Sequence, residues 1–467
     1  MQIRDATLST VREIKQLIIF AMIWMLAALA GPLHAQSVST QFVPFQNFVI
    51  STAAASSADY VSRPDSRVLD AAAFEQMRQH ILSMYQGIQV VHSFVEDSQY
   101  FDCVPVAQQP TARFLGITDI DSKPPVDPGS SDQEPAAASE SRPPDAFDNF
   151  GNSVHCETNT IPMARITLDE VTRFRTLNDF FRADGIGEDV EGDGSLPPAA
   201  DNGHRYARER QTVDNRGGQS ALSLWDPPVG DGDKFSLSQH WYAGGEGDDT
   251  QTVEGGWIKY PKFPDYFGEH SSLFVFWTAN NYGHNGTVPM VGCYNLKCMP
   301  GFMQTNDTWK LGGKFDEYSV KGGKQHWFYM EWRLYTGLTK ENGWWLRVKK
   351  DTSGAEWTWI GYYPIEVFNG GKLATVAQRI TYGGETLSKE LKDWPVMGSG
   401  ELPEKGWKWA AYHSNILYRD TDGKLQTPTL PDTRVDNCYK LGTPAVDNAV
   451  WGKYFFFGGP GGANCAR

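Results

Sequence analysis

Two glutamates stand among glycines in otherwise aromatic, strand-like surroundings. Glu254 lies in Thr252-Val253-Glu254-Gly255-Gly256-Trp257, and Glu385 in Thr381-Tyr382-Gly383-Gly384-Glu385-Thr386. A strand interior normally carries bulky side chains, because glycine packs nothing and gives up the most chain freedom on folding. Glycines beside an acid therefore imply a backbone kept bare so that another chain can approach. Alternation along a strand puts Thr252, Glu254 and Gly256 on one face, and Thr381, Gly383 and Glu385 on one face of the second strand. Carboxyls that meet across a groove, directly or through a water, cannot both ionise cheaply and hold one proton between them. That arrangement suits peptide hydrolysis. The ionised acid takes a proton from water, while its partner polarises the scissile carbonyl and later protonates the leaving nitrogen.

Other polar residues carry weaker signals. The side-chain amides of Gln239 and Gln304 can donate and accept together, which suits them to orient a water or line a groove. Trp257, Trp277 and Tyr382 offer apolar walls for a substrate ring, although large aromatics in a sheet protein usually pack in the core. Glu331 shares its strand face with Arg333, and a surface ion pair accounts for it. Ser399 in Met397-Gly398-Ser399-Gly400 lacks the spacing of a nucleophile elbow. Neither H-E-x-x-H nor C-x-x-C occurs, so no metal or other cofactor is expected.

The elements that must position the two acids lie beyond about residue 203. There, short runs rich in Trp, Tyr, Phe and Val alternate with Gly/Asp/Asn turns, as in Leu273 to Trp277, Trp327 to Tyr335, Trp344 to Val348 and Trp357 to Tyr362. This predicts an all-β fold, an antiparallel β-sandwich of jelly-roll type spanning 201–467. Residues 36–200 read as an acidic front region. Phe74, Met77, Ile81 and Met84 recur at helical spacing, Val90, Val91 and Phe94 lie in an extended run, and a second helix is expected from Thr167 with Glu170 placed for a capping box. The Pro/Ser/acid-rich stretch 121–150 reads as a linker, and Gly185 to Asn202 as a natural site for proteolytic cutting.

Residues 1–35 have the form of a secretory signal: Arg4, Arg12 and Lys15 precede an apolar run from Leu17 to Ala30, too short for a comfortable membrane span. A secreted or periplasmic location follows, with no lasting membrane association once the signal is removed. Six cysteines can pair completely in an oxidising compartment. Pairing neighbours gives Cys103–Cys156, Cys293–Cys298 and Cys438–Cys465. Charge is unevenly divided: residues 36–200 hold 24 Asp/Glu against 10 Lys/Arg, whereas 201–467 hold 30 against 29. Neither half has the basic surface that nucleic acid binding needs. The acidic half reads either as a soluble, solvated front end or as a detachable segment whose hold on the rest weakens as its carboxylates protonate.

An ordered series of short motifs adds to this reading: Ser236-Leu237-Ser238-Gln239, the Glu254 segment, Gly292-Cys293-Tyr294-Asn295-Leu296-Lys297-Cys298, Gly301-Phe302-Met303-Gln304-Thr305, Gly383-Gly384-Glu385, Met397-Gly398-Ser399-Gly400 and Gly458-Gly459-Pro460-Gly461. Together they resemble the neprosin family of secreted glutamic peptidases over roughly 203–467. Phe101-Asp102-Cys103-Val104 and Thr160-Ile161-Pro162-Met163 resemble that family's activation segment. The resemblance implies a zymogen: a signal peptide, a pro-region acting as intramolecular inhibitor, and an acid-active β-sandwich endopeptidase that cuts peptide or protein substrates after proline. Its catalytic glutamates fall on Glu254 and Glu385. Gly255 and Tyr382 depart from the family's usual Ala and Trp. Two other classes fit paired carboxylates or exposed aromatics on a β-sandwich: a glycoside hydrolase, and a carbohydrate- or cell-wall-binding module.

Overall fold

A computed structural model describes residues 41–124, 146–182, 202–338, 340–352, 354–447, 450–463 and 465. The expected signal segment, most of the linker and nearly all of the proposed cutting stretch lie outside the described residues.

In the front part, helix Ala71–Tyr85 is capped by Asp70, whose carboxylate accepts a 2.8 Å hydrogen bond from Ala73 N–H. It buries Phe74, Met77, Ile81 and Met84, the stripe that the helical spacing predicts. Strands β1 (Ser93–Glu96), β2 (Gln99–Pro105) and β3 (Thr160–Ala164) form an antiparallel sheet in that order, and the Cys103–Cys156 bond ties it together. The second expected helix is a single turn, Leu168–Val171, with Thr167 capping Glu170 N–H. Thr172 Oγ1 then donates back to Leu168 O at 2.7 Å, a local bond that competes with helix continuation. A separate helix follows at Leu177–Arg182.

From residue 204 onward the chain is almost entirely strand. In order come β4 (His204–Asn215), β5 (Gly217–Ser223), β6 (Lys234–Gly244), β7 (Gln251–Lys259), β8 (Ser272–Thr278), β9 (Gly292–Tyr294), β10 (Met303–Gln304) and β11 (Trp327–Tyr335). There follow β12 (Gly343–Lys350), β13 (Thr358–Pro364), β14 (Ala377–Ser388), β15 (Ala411–Arg419), β16 (Leu425–Gln426), β17 (Asp432–Val435), β18 (Lys440–Leu441), β19 (Ala445–Asp447) and β20 (Gly452–Gly458). They build two antiparallel sheets, a sandwich as the strand pattern predicts. One runs β17-β4-β14-β6-β7-β8-β9; the other runs β10-β13-β12-β11-β5-β15-β20-β18, with β16 and β19 at its flank.

The facing surfaces form the core. Tyr242 of the first sheet lies 5.8 Å from Trp344 of the second, and Trp277 lies 6.0 Å from Tyr363. Each such ring removed from water contributes about 1.5–3 kcal/mol. Two of the glycines beside the acids answer to this packing and not to an approaching chain. A Cβ on Gly255 would lie 3.1 Å from Trp332 Nε1, and one on Gly384 would lie 2.4 Å from a Phe457 ring carbon.

Glu331 is not a surface residue. It is fully buried and accepts 2.6 Å bonds from Arg347 Nε and Arg419 Nε, the latter on a strand far away in sequence. Cys293–Cys298 closes the loop after β9, and Cys438–Cys465 fastens the chain end. No helix among the described residues is long and apolar enough to cross a membrane.

Candidate active site

Both acids are carried by the seven-stranded sheet, on strands that flank β6. Glu385 on β14 is level with Leu237 of β6, and Glu254 on β7 is level with Trp241. Residues opposite each other in an antiparallel pair point to the same side. Leu237, Gln239 and Trp241 share one face of β6, so Glu254, Glu385 and Gln239 all project from the same face of one sheet. It is the face turned away from the second sheet. Gln239 is level with Gly256 on one side and Gly383 on the other, at the midpoint of the diagonal between the acids.

The backbone requires those two glycines. Gly383 has φ +152°, and a Cβ there would lie 2.4 Å from Ala207 O; one on Gly256 would lie 1.9 Å from Ser238 O. Two strand spacings and four residues of offset separate the acid backbones by roughly 16 Å on a flat sheet.

Each carboxyl has its own set of partners. Thr252 Oγ1 and Tyr282 Oη donate to Glu254 Oε1 at 2.7 and 2.6 Å. Glu385 Oε1 is held by His204 Nδ1, and Gln239 Nε2 donates to Glu385 Oε2 at 3.4 Å. The second nitrogen of His204 and the amide oxygen of Gln239 are buried and have no hydrogen-bond partner among the described residues. Both atoms can bind a water or a substrate group.

Aromatic residues complete the face. Phe276 is level with Glu254, and Tyr294 is level with Phe276; the two rings are 4.6 Å apart. Burial pushes the Tyr294 hydroxyl well above its usual range, and the negative fields of Glu385 and Glu254 push it further. One side chain is therefore within electrostatic reach of both acids. Burial likewise raises Tyr282, with Glu254 next in effect. Both phenols stay protonated and keep an O–H to donate.

Trp257, Trp277 and Tyr382 do not line this face. Alternation turns them into the sandwich, where each is almost completely buried, and the indole N–H of Trp257 donates to Ser223 O at 2.9 Å. Gln304 belongs to the other sheet. Its Nε2 donates to Asn306 O and Trp309 O, and its backbone exchanges two hydrogen bonds with the side chain of Gln109 in the front part. His204, Tyr282 and Tyr294 were not singled out by sequence reasoning. Only Tyr294 carried a signal, from its place beside Cys293.

Both acids are nearly inaccessible, Glu254 at 5% exposure and Glu385 at 6%. Helix Leu177–Arg182 reaches from the β9 edge to the end of β14. Asn178 Oδ1 accepts from Met290 N–H at 2.8 Å, and the Phe180 ring lies 4.7 Å from Lys297 Nζ. At the other end, Asp179 and Arg182 act electrostatically on Lys389, just past β14.

The chain is similar to three solved peptidase structures at low identity. One is scytalido-glutamic peptidase with a transition state analog inhibitor, at 12% identity, covering 54% of this chain and 97% of that one, with a TM-score of 0.27. A second complex, of Scytalido-glutamic peptidase with a peptide based transition state analog, gives 11%, 54%, 97% and 0.25. SCP-B, a member of the Eqolisin family of peptidases in a complex with a tripeptide, gives 11%, 55%, 96% and 0.23. The Neprosin family model matches residues 232–460, a span that includes β6, β7 and β14 and so both glutamates and Gln239. Residues 232–460 thus carry a Neprosin domain.

Proposed function

We propose that the chain is a glutamic-type endopeptidase made with an inhibitory pro-region, and that Glu254 and Glu385 are its catalytic acids. The observation that carries this reading is the shared sheet face, with an acid at each end of a diagonal and Gln239 midway. A water held by Gln239 Oε1 and one carboxylate is positioned to attack a peptide carbonyl laid across the bare strip at Gly256 and Gly383. The other carboxyl, protonated, polarises that carbonyl and then delivers its proton to the leaving nitrogen. Tyr294 Oη, kept as a donor by burial and by both acids, is placed to stabilise the oxyanion. The three disulfides support a secreted or periplasmic enzyme. Cleavage after proline is part of the proposal, and the aromatic rings Trp241, Phe276 and Tyr294 on the acid face are the candidate walls for the proline ring.

The test is a pH series on acid-treated protein with proline-containing peptides, the products read by mass spectrometry. Cleavage with an acid optimum is expected, and Glu254→Gln and Glu385→Gln are each expected to abolish it while the circular dichroism spectrum is unchanged. Full activity in either variant, or an alkaline optimum, removes the paired-acid mechanism.

A further inference from the structure

Lys297 is fully buried, an unusual place for an ammonium group. Its Nζ lies 5.0 Å from the Phe267 ring and 5.9 Å from the Phe263 ring, both in the peptidase domain. The pro-region adds Phe180 at 4.7 Å and Glu170 Oε1 at 3.5 Å, itself a buried carboxylate. His80, also from the pro-region, places its Nε2 2.8 Å from Lys297 O. Burial lowers the ammonium to about 8, against the pull of Glu170, so it stays cationic throughout the acid range.

Burying two opposite charges costs desolvation on both sides and is a poor way to gain stability. An apolar pair would hold the pro-region at least as firmly. A buried ion pair is therefore weak evidence that Lys297 is there for stability alone. Removal of the pro-region takes Glu170 and Phe180 away and leaves Lys297 in a recess walled by Phe263 and Phe267.

Two chains of aromatic contacts lead from the recess to the acids. Phe267 touches Tyr294 at 5.5 Å, and Tyr294 feels both carboxylates. Phe263 touches Tyr260 at 4.6 Å, Tyr260 touches Phe235 at 5.5 Å, and Phe235 lies 5.7 Å from His204, the partner of Glu385. Packed rings thus connect the surroundings of Lys297 to side chains that touch or feel the acids.

We propose that Lys297 forms a carboxylate-binding subsite of the mature peptidase, which Glu170 fills in the full chain as a stand-in for substrate. The subsite selects substrates carrying a carboxylate at a fixed distance from the cleaved bond. This rests on the peptidase reading. Glu170 is an internal residue, so an acidic side chain is the expected source; a substrate's C-terminal carboxylate offers the same chemistry.

The test uses the acid-treated full chain at pH 5.5, where a peptide glutamate, with an ordinary pKa of about 4.3, is ionised. Peptides differ only in carrying Glu, Gln or Lys at each position around the cleaved bond, and each is made with a free and an amidated C-terminus. At one position, kcat/KM is expected to be about tenfold or more higher for Glu than for Gln, the worth of one charged hydrogen bond. The Glu/Gln ratio should fall to near one in Lys297→Met, persist in Lys297→Arg, and invert in favour of Lys in Lys297→Glu. If one of these variants fails to fold, the remaining two decide. An advantage that follows the free C-terminus and not the Glu position keeps the subsite and assigns it to the terminal carboxylate. Equal rates for Glu, Gln and Lys in the wild-type chain overturn the inference alone. Absence of any cleavage overturns the peptidase reading and this inference with it.

Discussion

Tyr282 reaches Glu254 at a conformational cost. Asn281, Tyr282 and His284 have φ of 45°, 52° and 51°, in the left-handed region that costs an L-residue about 1–2 kcal/mol each. Strain of this kind persists only where surrounding contacts hold it, and it gathers at working sites. Here it aims a phenol at a carboxylate. Tyr282→Phe should keep the ring's stack on Phe276 at 5.8 Å and so leave thermal unfolding nearly unchanged. It should lower kcat/KM by about 10- to 100-fold, the worth of a hydrogen bond to a charged group. A wild-type rate in that variant would reduce Tyr282 to packing. His204→Gln tests the other acid, since a glutamine can donate to Glu385 without offering a ring nitrogen on its far side. A fall in kcat/KM with the urea midpoint little changed is expected, whereas a matching fall in the midpoint would indicate that His204 only supports the fold. Glu254 and Glu385 could be picked out from sequence as candidates because each lies beside glycines in an aromatic strand, and Gln239 because its amide can donate and accept. His204 and Tyr282 could not, because their roles depend on which distant carboxyl folding brings to them.

At the scale of elements, β6 is the strand that makes a site out of two others. The alternation rule assigned the right neighbours to each acid face, Thr252 with Glu254 and Gly383 with Glu385. It could not say which side of the sheet was open. Both sides of β6, β7 and β14 are buried, so neither shows the polar alternation of a half-exposed strand. This is why Trp257, Trp277 and Tyr382 looked available to substrate and are core. It also divides the glycines by function. Gly384→Ala pushes a methyl against Phe457 and Met397, and overpacking of this sort costs about 1–3 kcal/mol. It should lower the urea midpoint while peptide cleavage survives at temperatures where the fold is intact. Gly383→Ala combines a strained φ with a backbone clash and should remove activity together with stability. Equal urea midpoints for wild type and Gly384→Ala would show that the sheets have room to spare there.

For the whole molecule, acid acts in two places with opposite value to the enzyme. The front part, the proposed pro-region, is held partly by charge: Glu96 to Lys310 at 2.8 Å, Glu170 to Lys297 at 3.5 Å, and Asp119 and Asp121 to Lys340 at 2.9 and 3.0 Å. Its acidic excess thus meets cations of the peptidase domain. His80, bonded to Lys297 O, is lowered to about 4 by burial, with that hydrogen bond opposing. The folded value lies below the unfolded 6.5, so its contribution to docking is complete above 6.5 and is lost as pH falls towards 4. Inside the sandwich, Ser220 Oγ lies 2.6 Å from His240 Nε2 and 2.9 Å from His413 Nδ1. Burial keeps both imidazoles neutral, and His413 is lowered to about 3. The same sign applies: below 6.5 the unfolded chain takes up protons that the folded one refuses. Each imidazole then costs about 1.4 kcal/mol per pH unit. The proposed acid-active zymogen requires the front part to yield before the sandwich does. Hydrogen exchange should therefore show amides of 168–182 losing protection at a higher pH than those of β6 and β14. In His80→Phe, which cannot charge, loss of protection over 168–182 should move to lower pH while the strands behave as before. Simultaneous loss in helix and strands would mean that acid unfolds the protein as one unit, and that release of the pro-region requires cleavage first.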